Sequence, residues 1–121
     1  MSTITTHILD TARGCPAEAV RVVLYRKADS LGEVEIAAGY TNKDGRIAEW
    51  AGVEGNAGEA LNADMSSGIY KIRFETRDYF NNGSVASFYP WVDIYFDVAA
   101  EGHYHVPLLI SPYGYSTYRG S

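Results

Sequence analysis

Hydrophobic and polar residues alternate with a period of two through most of the chain, in short separate segments. The clearest is 91–98, in which four even-numbered apolar residues alternate with Trp91, Asp93, Tyr95 and Asp97. Such alternation is typical of strands with one buried face. The same pattern, or a high content of strand-forming residues, predicts further strands at 5–10, 20–26, 33–40, 69–75, 103–110 and 115–119.

Clusters of Gly, Pro, Asn and Asp separate these segments, at 13–16, 42–45, 52–58, 81–83, 100–102 and 111–114. The segments 75–82 and 59–65 each suit a short helical turn, and neither is long enough to support a helical domain. Seven or eight short strands with one short helix predict an all-β sandwich of two antiparallel sheets. A chain of 121 residues fits a single domain spanning 1–121.

Composition narrows the classes of partner. Ten Lys and Arg against fifteen Asp and Glu give a formal charge of −5 without a basic stripe, which argues against nucleic acid. No apolar run is long enough to span a bilayer, and the first residues do not resemble a signal peptide, so we expect no membrane partner. Cys15 is the only cysteine, which excludes an intrachain disulfide. We therefore expect a cytoplasmic protein.

The histidines occupy unusual positions in the predicted strands. In 103–110 the even-numbered residues are all apolar or aromatic and should face the core. His103 and His105 then share the opposite face with Pro107, and His7 lies opposite Ile8 in the first strand. This mixture suits the wall of a cleft better than open solvent. A histidine near its ordinary pKa of ~6.5 can accept a proton from water at neutral pH.

Two segments carry a family resemblance. Residues 6–17, THILDTARGCPA, resemble the opening signature of the 5-hydroxyisourate hydrolases. Residues 103–121, HYHVPLLISPYGYSTYRGS, resemble the closing segment, including the terminal Tyr-Arg-Gly-Ser that distinguishes these enzymes from hormone-carrying transthyretins. The landmarks at 44–46 and 68–70 fall between them in the expected order. The resemblance therefore covers the whole chain.

The resemblance implies a transthyretin-like sandwich assembled as a homotetramer, a dimer of dimers with active sites at the dimer–dimer interface. The implied activity is that of a cyclic amide hydrolase in urate degradation, towards allantoin. It would convert 5-hydroxyisourate to 2-oxo-4-hydroxy-4-carboxy-5-ureidoimidazoline without a cofactor. The catalytic residues implied are His7, Arg46 and His105. The implied substrate-binding residues are His7, Arg46, Ser116, Tyr118, Arg119, Gly120 and Ser121.

The residues themselves leave the choice of base open, since either His7 or His105 suits the role. An Arg at position 46 would stabilise negative charge developing on the substrate. We expect His103 to be a bystander. We prefer metal-free chemistry. The alternative is a zinc site built from the three histidines. A nucleophilic Cys15 and a triad using Ser111 or Ser116 have weak support, because neither an adjacent base nor a Gly-flanked elbow is present.

Two other classes of function compete with the hydrolase. One is a non-catalytic carrier of transthyretin type that binds a small hydrophobic ligand in the central channel. The other is a structural sandwich without a ligand. The charged and proton-transferring groups at His7, Arg46 and His105 argue against an apolar carrier channel. A purely structural protein would leave the polar face of the terminal strands unexplained.

Overall fold

The computed structural model describes residues 3–28, 32–47, 50–52, 67–99 and 102–120. Within them the chain forms nine strands and one α-helix. In chain order these are β1 (Thr3–Asp10), β2 (Cys15–Pro16), β3 (Arg21–Ala28), β4 (Gly32–Tyr40), β5 (Ala51–Gly52), β6 (Gly68–Phe74), α1 (Thr76–Asn82), β7 (Val92–Val98), β8 (His103–Ser111) and β9 (Gly114–Thr117).

The predicted all-β class and the helical turn at 75–82 are therefore confirmed. The other helical turn predicted, at 59–65, lies outside the described residues. The last strand ends at Thr117 instead of residue 119, because the two residues that follow leave the ladder before Gly120 pairs again with His105. Two of the nine strands, β2 and β5, have only two residues each and carry no periodic signal in the sequence.

The strands form two sheets. One has the order β2-β1-β8-β9 and the other the order β5-β4-β3-β6-β7. Antiparallel pairing holds for the described strand pairs except β1 with β8, which run parallel in register from Thr3 opposite His103 to Asp10 opposite Ile110. A parallel pair needs a long crossover, and here most of the chain, including the whole second sheet, provides it. The prediction of antiparallel sheets fails at this one pair.

The core lies between the two sheets and follows the predicted alternation. The even-numbered residues of β1 and β8 are buried against the second sheet, as expected for 104–110. In β7, Val92 and Val98 are buried, whereas Ile94 and Phe96 are only partly covered because β7 is the edge of its sheet. The largest fully buried side chains in the described residues include Ile8, Leu24, Tyr70, Ile72, Phe74, Leu108 and Ile110.

A second set of contacts crosses the outer face of the five-stranded sheet. Lys71 on β6 is only 5% exposed, and its ammonium lies 2.6 Å from the carboxylate of Glu33 on β4. The same ammonium lies 4.2 Å from the centre of the ring of Tyr25 on β3, the strand between β4 and β6. On β7, Tyr95 donates a hydrogen bond to Glu33. These contacts connect four neighbouring strands without using the core.

None of the described helical residues forms a helix of the length and apolar character needed to cross a membrane.

Candidate active site

The outer face of the four-stranded sheet brings together the two histidines predicted as catalytic. Alternation in β1 leaves His7 half-buried on the face away from the core. In β8 the same alternation places His105 half-buried on the corresponding face. The parallel register sets Thr5 opposite His105 and His7 opposite Pro107, so the two histidines lie on neighbouring strands, two register positions apart.

Arg46 reaches this face because a turn docks against β1. The Asn42 side chain accepts hydrogen bonds from the backbone N–H groups of Asp44 and Arg46, at 2.9 and 3.1 Å. Gly45 then adopts φ +75, and its carbonyl accepts the N–H of Ile8 at 2.8 Å. A Cβ at position 45 would lie 2.3 Å from the Ile8 carbonyl oxygen, so glycine is required here. The turn thereby pairs Arg46 with His7 in an antiparallel bridge.

The surroundings of His105 favour its neutral form. Burial is the largest cause that lowers the pKa of His105, followed by the positive charge of Arg46 and then by His103 and His7. A lowered pKa leaves the imidazole uncharged and able to accept a proton at neutral pH. The surroundings of His105 therefore suit a general base.

His103, expected to be a bystander, is joined to this group by hydrogen bonds. Its Nδ1 lies 2.6 Å from the hydroxyl of Thr3, and its Nε2 lies 3.1 Å from the hydroxyl of Thr5. Thr5 also lies 2.7 Å from Nδ1 of His105. The two imidazole rings are nearly parallel, with centres 6.3 Å apart. Sequence reasoning missed both threonines, although their positions on the face of His7 follow from the period of two.

The C-terminal tail returns along β8 and packs against His105. The N–H of Gly120 donates to the carbonyl of His105 at 2.9 Å. A Cβ at position 120 would lie 2.3 Å from the Cδ2 atom of the His105 ring, so only glycine fits without displacing the ring or the tail. The tail's close approach to His105 therefore depends on the smallest side chain.

Three other predicted tail residues, Ser116, Tyr118 and Arg119, lie within the described part of the chain. Ser116 lies on β9 opposite Leu109, and Tyr118 is 59% exposed. The guanidinium of Arg119 lies 5.0 Å from the centre of the Tyr104 ring. Tyr118 and Arg119 also border a cleft of about 290 Å³ at the open edge of the sandwich, between the tail and β7. Ser121 lies outside the described residues.

The remaining nucleophile candidates stand apart from the histidines. Cys15 is half-buried on β2, where it pairs with Asp10. The hydroxyl of Ser111 donates to the carbonyl of Gly114 within the β8–β9 turn. Across the described part of the chain, no three side chains of His, Cys, Asp or Glu are grouped so that they could hold a metal ion. Within the described residues, the fold brings His7, Arg46, His105 and Gly120 to neighbouring positions on the β1–β8 pair.

Chemically, this arrangement combines a neutral imidazole, a permanent cation and a second histidine on one open sheet face. A neutral imidazole can accept a proton from water, and a guanidinium can stabilise negative charge on an oxygen. The pair suits the attack of water on a polarised carbonyl.

Comparison with known proteins agrees with the resemblance of the two terminal segments. Residues 4–120 match the HIUase/Transthyretin family. The probable 5-hydroxyisourate hydrolase of Schizosaccharomyces pombe is 43% identical over 123 residues, covering 98% of this chain and 90% of that protein. The solved structure of Klebsiella pneumoniae 5-hydroxyisourate hydrolase is 36% identical, with a TM-score of 0.78, covering 98% of this chain and 99% of that one.

A transthyretin shares the same architecture. The crystal structure of sea bream transthyretin in complex with thyroxine is 28% identical to this chain, with a TM-score of 0.82, covering 97% of this chain and 93% of that one. The predicted transthyretin-like sandwich is therefore confirmed. Because enzyme and hormone carrier share this fold, the fold alone does not choose between them.

Proposed function

The chain belongs to the HIUase/Transthyretin family, and we propose that it is a hydrolase that opens the ring of 5-hydroxyisourate to give 2-oxo-4-hydroxy-4-carboxy-5-ureidoimidazoline. Full-length relatives named 5-hydroxyisourate hydrolase, in a yeast and in several bacteria, support this substrate. The observation that carries the proposal is the convergence of His7, Arg46, His105 and Gly120 on one face of the β1–β8 pair. The reaction is the hydrolysis of a cyclic amide.

The proposed reaction adds one water molecule. The water oxygen bonds to a ring carbonyl carbon while one water proton passes to a base, and the carbonyl oxygen takes up negative charge. The carbon–nitrogen bond of the ring then breaks, and the departing nitrogen receives the proton. A ureido group and a carboxylic acid result, and the acid, which carries the second proton of the water, releases that proton to solvent to become a carboxylate.

We assign the base to His105. Its lowered pKa keeps the imidazole neutral near pH 7, so that the ring can take the proton from water and return it to the departing nitrogen. The ring of His105 is also contacted on two sides, by the hydroxyl of Thr5 and by Gly120.

Arg46 and His7 are assigned to substrate binding and charge stabilisation. A guanidinium is a permanent cation, and the forked donors of Arg46 suit the oxygens of a planar, oxygen-rich ring. Its exposed side chain starts from a turn that is hydrogen-bonded to β1. This anchor holds the charge near the histidines. His7 pairs with Arg46 along the backbone and contributes a second polar group.

The tail residues are assigned to the wall of the substrate site. Gly120 sits against His105, and we propose that Ser116, Tyr118, Arg119 and Ser121 complete the wall once subunits assemble. Because Tyr118 is largely exposed in a single chain, a second subunit is needed to enclose it. The tail would thus narrow the space over the histidines.

Three features support a homotetramer, a dimer of dimers with sites at the dimer–dimer interface. The histidines and Arg46 lie on a sheet face that is open in one subunit, and burying it against a second copy would form an enclosed channel. In addition, β7 and β9 are the last strands of their sheets, and unpaired edge strands readily pair with another chain. Exposed aromatic side chains on both edges, Tyr95 and Tyr115, favour the same assembly.

We propose the cytoplasm as the working compartment. Cys15 is a free cysteine, and the single thiol leaves the sandwich without an intrachain disulfide. A fold that relies on packing alone suits a reducing environment.

The test is the decay of freshly generated 5-hydroxyisourate, followed by its near-ultraviolet absorbance with and without the protein. We expect the decay to accelerate in proportion to the amount of protein. The carrier alternative predicts tight binding of a thyroxine-like ligand and a decay rate equal to the spontaneous one. That result, obtained with a folded tetramer, would overturn the proposed function.

A further inference from the structure

The hydroxyl of Thr5 lies between two imidazole rings. Its oxygen is 2.7 Å from Nδ1 of His105 and 3.1 Å from Nε2 of His103. The parallel register of β1 and β8 creates this arrangement, because it sets Thr3 opposite His103 and Thr5 opposite His105. Both distances are within the usual range for hydrogen bonds.

A hydroxyl has one proton, so the two contacts cannot have the same direction. If both are hydrogen bonds, Thr5 accepts a proton from one ring and donates its own to the other. In one arrangement, Nδ1–H of His105 donates to Thr5 and Thr5 donates to Nε2 of His103. In the other, every bond is reversed, and the remaining proton of a neutral His105 sits on Nε2.

Only the first arrangement lets His105 act as a base through Nε2. When Nδ1 carries the proton, Nε2 has a free lone pair, whereas in the reversed arrangement Nε2 is already protonated. The opposite edge of the ring is fixed as well, since the Gly120 backbone packs against Cδ2. Rotating the ring by half a turn would exchange Nδ1 with Cδ2 and would break the bond to Thr5.

We propose that Thr5 is a positioning residue that couples His105 to His103 and holds His105 in the tautomer protonated on Nδ1. This inference rests on the proposed function for its catalytic meaning. His103 serves as the acceptor at the end of the chain of hydrogen bonds, and its own Nδ1–H donates to Thr3, whose hydroxyl is 2.6 Å away. Neither Thr5 nor His103 needs to touch the substrate.

The coupling also has a use during the reaction. Once Nε2 of His105 has taken a proton from water, the ring is a cation that donates through both nitrogens. Its Nδ1–H bond to Thr5 is retained, because Thr5 already points its own proton at His103. A hydrogen bond from a charged donor is about twice as strong as a neutral one. The chain would therefore stabilise the cation at the moment it forms.

The experiment reads the tautomer directly, from the ¹⁵N chemical shifts of the His103 and His105 rings in the assembled protein. The variants are Thr5→Val, which removes the hydroxyl at constant shape, Thr5→Ser, which restores it, and His103→Phe, which removes the terminal acceptor. The control is Thr6→Val, because Thr6 is on the same strand and donates to the β8 carbonyl of Val106 on the core side.

In the wild type, the Thr5→Ser variant and the Thr6→Val control, we expect His105 to carry its proton on Nδ1. In Thr5→Val and His103→Phe we expect the proton to move to Nε2 in a large fraction of molecules. We also expect kcat to fall roughly 10- to 100-fold with little change in KM, since a misdirected base loses part of its contribution of ~10²–10⁴.

A wild-type His105 protonated on Nε2 would overturn the inference. So would a tautomer that is unchanged in both Thr5→Val and His103→Phe. The tautomer is measured without substrate, so a failure of the hydrolase assay and a failure of this coupling are separate results. Recovery of kcat in Thr5→Ser but not in Thr5→Val distinguishes the hydroxyl from a merely structural role of the side chain.

Discussion

Replacing Gly120 with alanine tests how closely the tail and His105 must fit. The new Cβ would lie 2.3 Å from Cδ2 of His105, 3.1 Å from its Cγ and 3.3 Å from its Cβ. An ordinary contact between carbon atoms begins near ~3.5 Å. Either the ring or the tail must therefore move by about 1 Å, going by that contact distance.

A displacement of that size at a reacting group costs on the order of 100-fold in rate, or ~2.7 kcal/mol. Stability should change much less, because Gly120 is only half-buried and lies outside the core, and an off-rotamer ring costs only about 0.5–1.5 kcal/mol. We expect kcat/KM for 5-hydroxyisourate to fall 10- to 100-fold in Gly120→Ala with the oligomeric mass unchanged.

The matched control is Gly114→Ala in the same terminal hairpin. There the nearest atom to a new Cβ is the Ser111 hydroxyl at 3.5 Å, an ordinary contact, so activity should stay within about twofold of the wild type. Both variants are assayed by absorbance decay and by thermal unfolding. Wild-type kcat/KM in Gly120→Ala would refute the reasoning that the tail fixes His105.

Four further variants address the charge, the tail and the sheet. Arg46→Glu should cut kcat/KM by about 10²–10³ while folding is retained. Arg46→Gln should move the acid limb of the pH–rate profile to higher pH, because the guanidinium lowers the pKa of His105. An unchanged limb would remove Arg46 from the site. Deleting residues 118–121 should lower kcat/KM on the order of 100-fold without changing the oligomeric mass, and loss of activity only together with a fall in oligomeric mass would assign the tail to assembly. Lys71→Ala should lower the free energy of unfolding by about 2 kcal/mol in denaturant titrations, since it leaves Glu33 without its ammonium partner; unaltered unfolding would show that this outer-face pair is not stabilising.

Much of the fold can be predicted from the sequence because a period of two is a local signal. Alternation in 91–98 and 103–110 identifies strands and their core faces, and the structure buries the even-numbered residues of β8 as expected. Short strands such as β2 and β5 escape this method, because two residues carry no period. Their existence depends on partners far away in the chain.

The parallel pairing of β1 with β8 illustrates the limit of local reasoning. Alternation gives the faces of both strands but not which strands are neighbours or in what direction they run. Consequently the sequence places His7 and His105 on cleft-like faces without placing those faces together. Only the register brings Thr5 between His103 and His105, so alternation alone does not predict the hydrogen bonds that join these two histidines.

Arg46 shows a different limit. Its residue type suggests a role in charge stabilisation, yet an Arg after a turn is usually just solvated. What brings it to His7 is the conformation of Gly45, whose positive φ allows the turn to dock on β1. Such a contact depends on a single backbone angle and has no periodic signature in the sequence.

The most direct measurement is the initial rate of 5-hydroxyisourate loss at neutral pH as a function of protein concentration, for the wild type beside His105→Asn. The wild-type rate should rise linearly with protein, and the slope for His105→Asn should be smaller by at least ~100-fold at equal oligomeric mass, because the variant has no titratable base. A wild-type slope of zero, or equal slopes for the two proteins, would contradict the assignment of a hydrolase that uses His105 as its base.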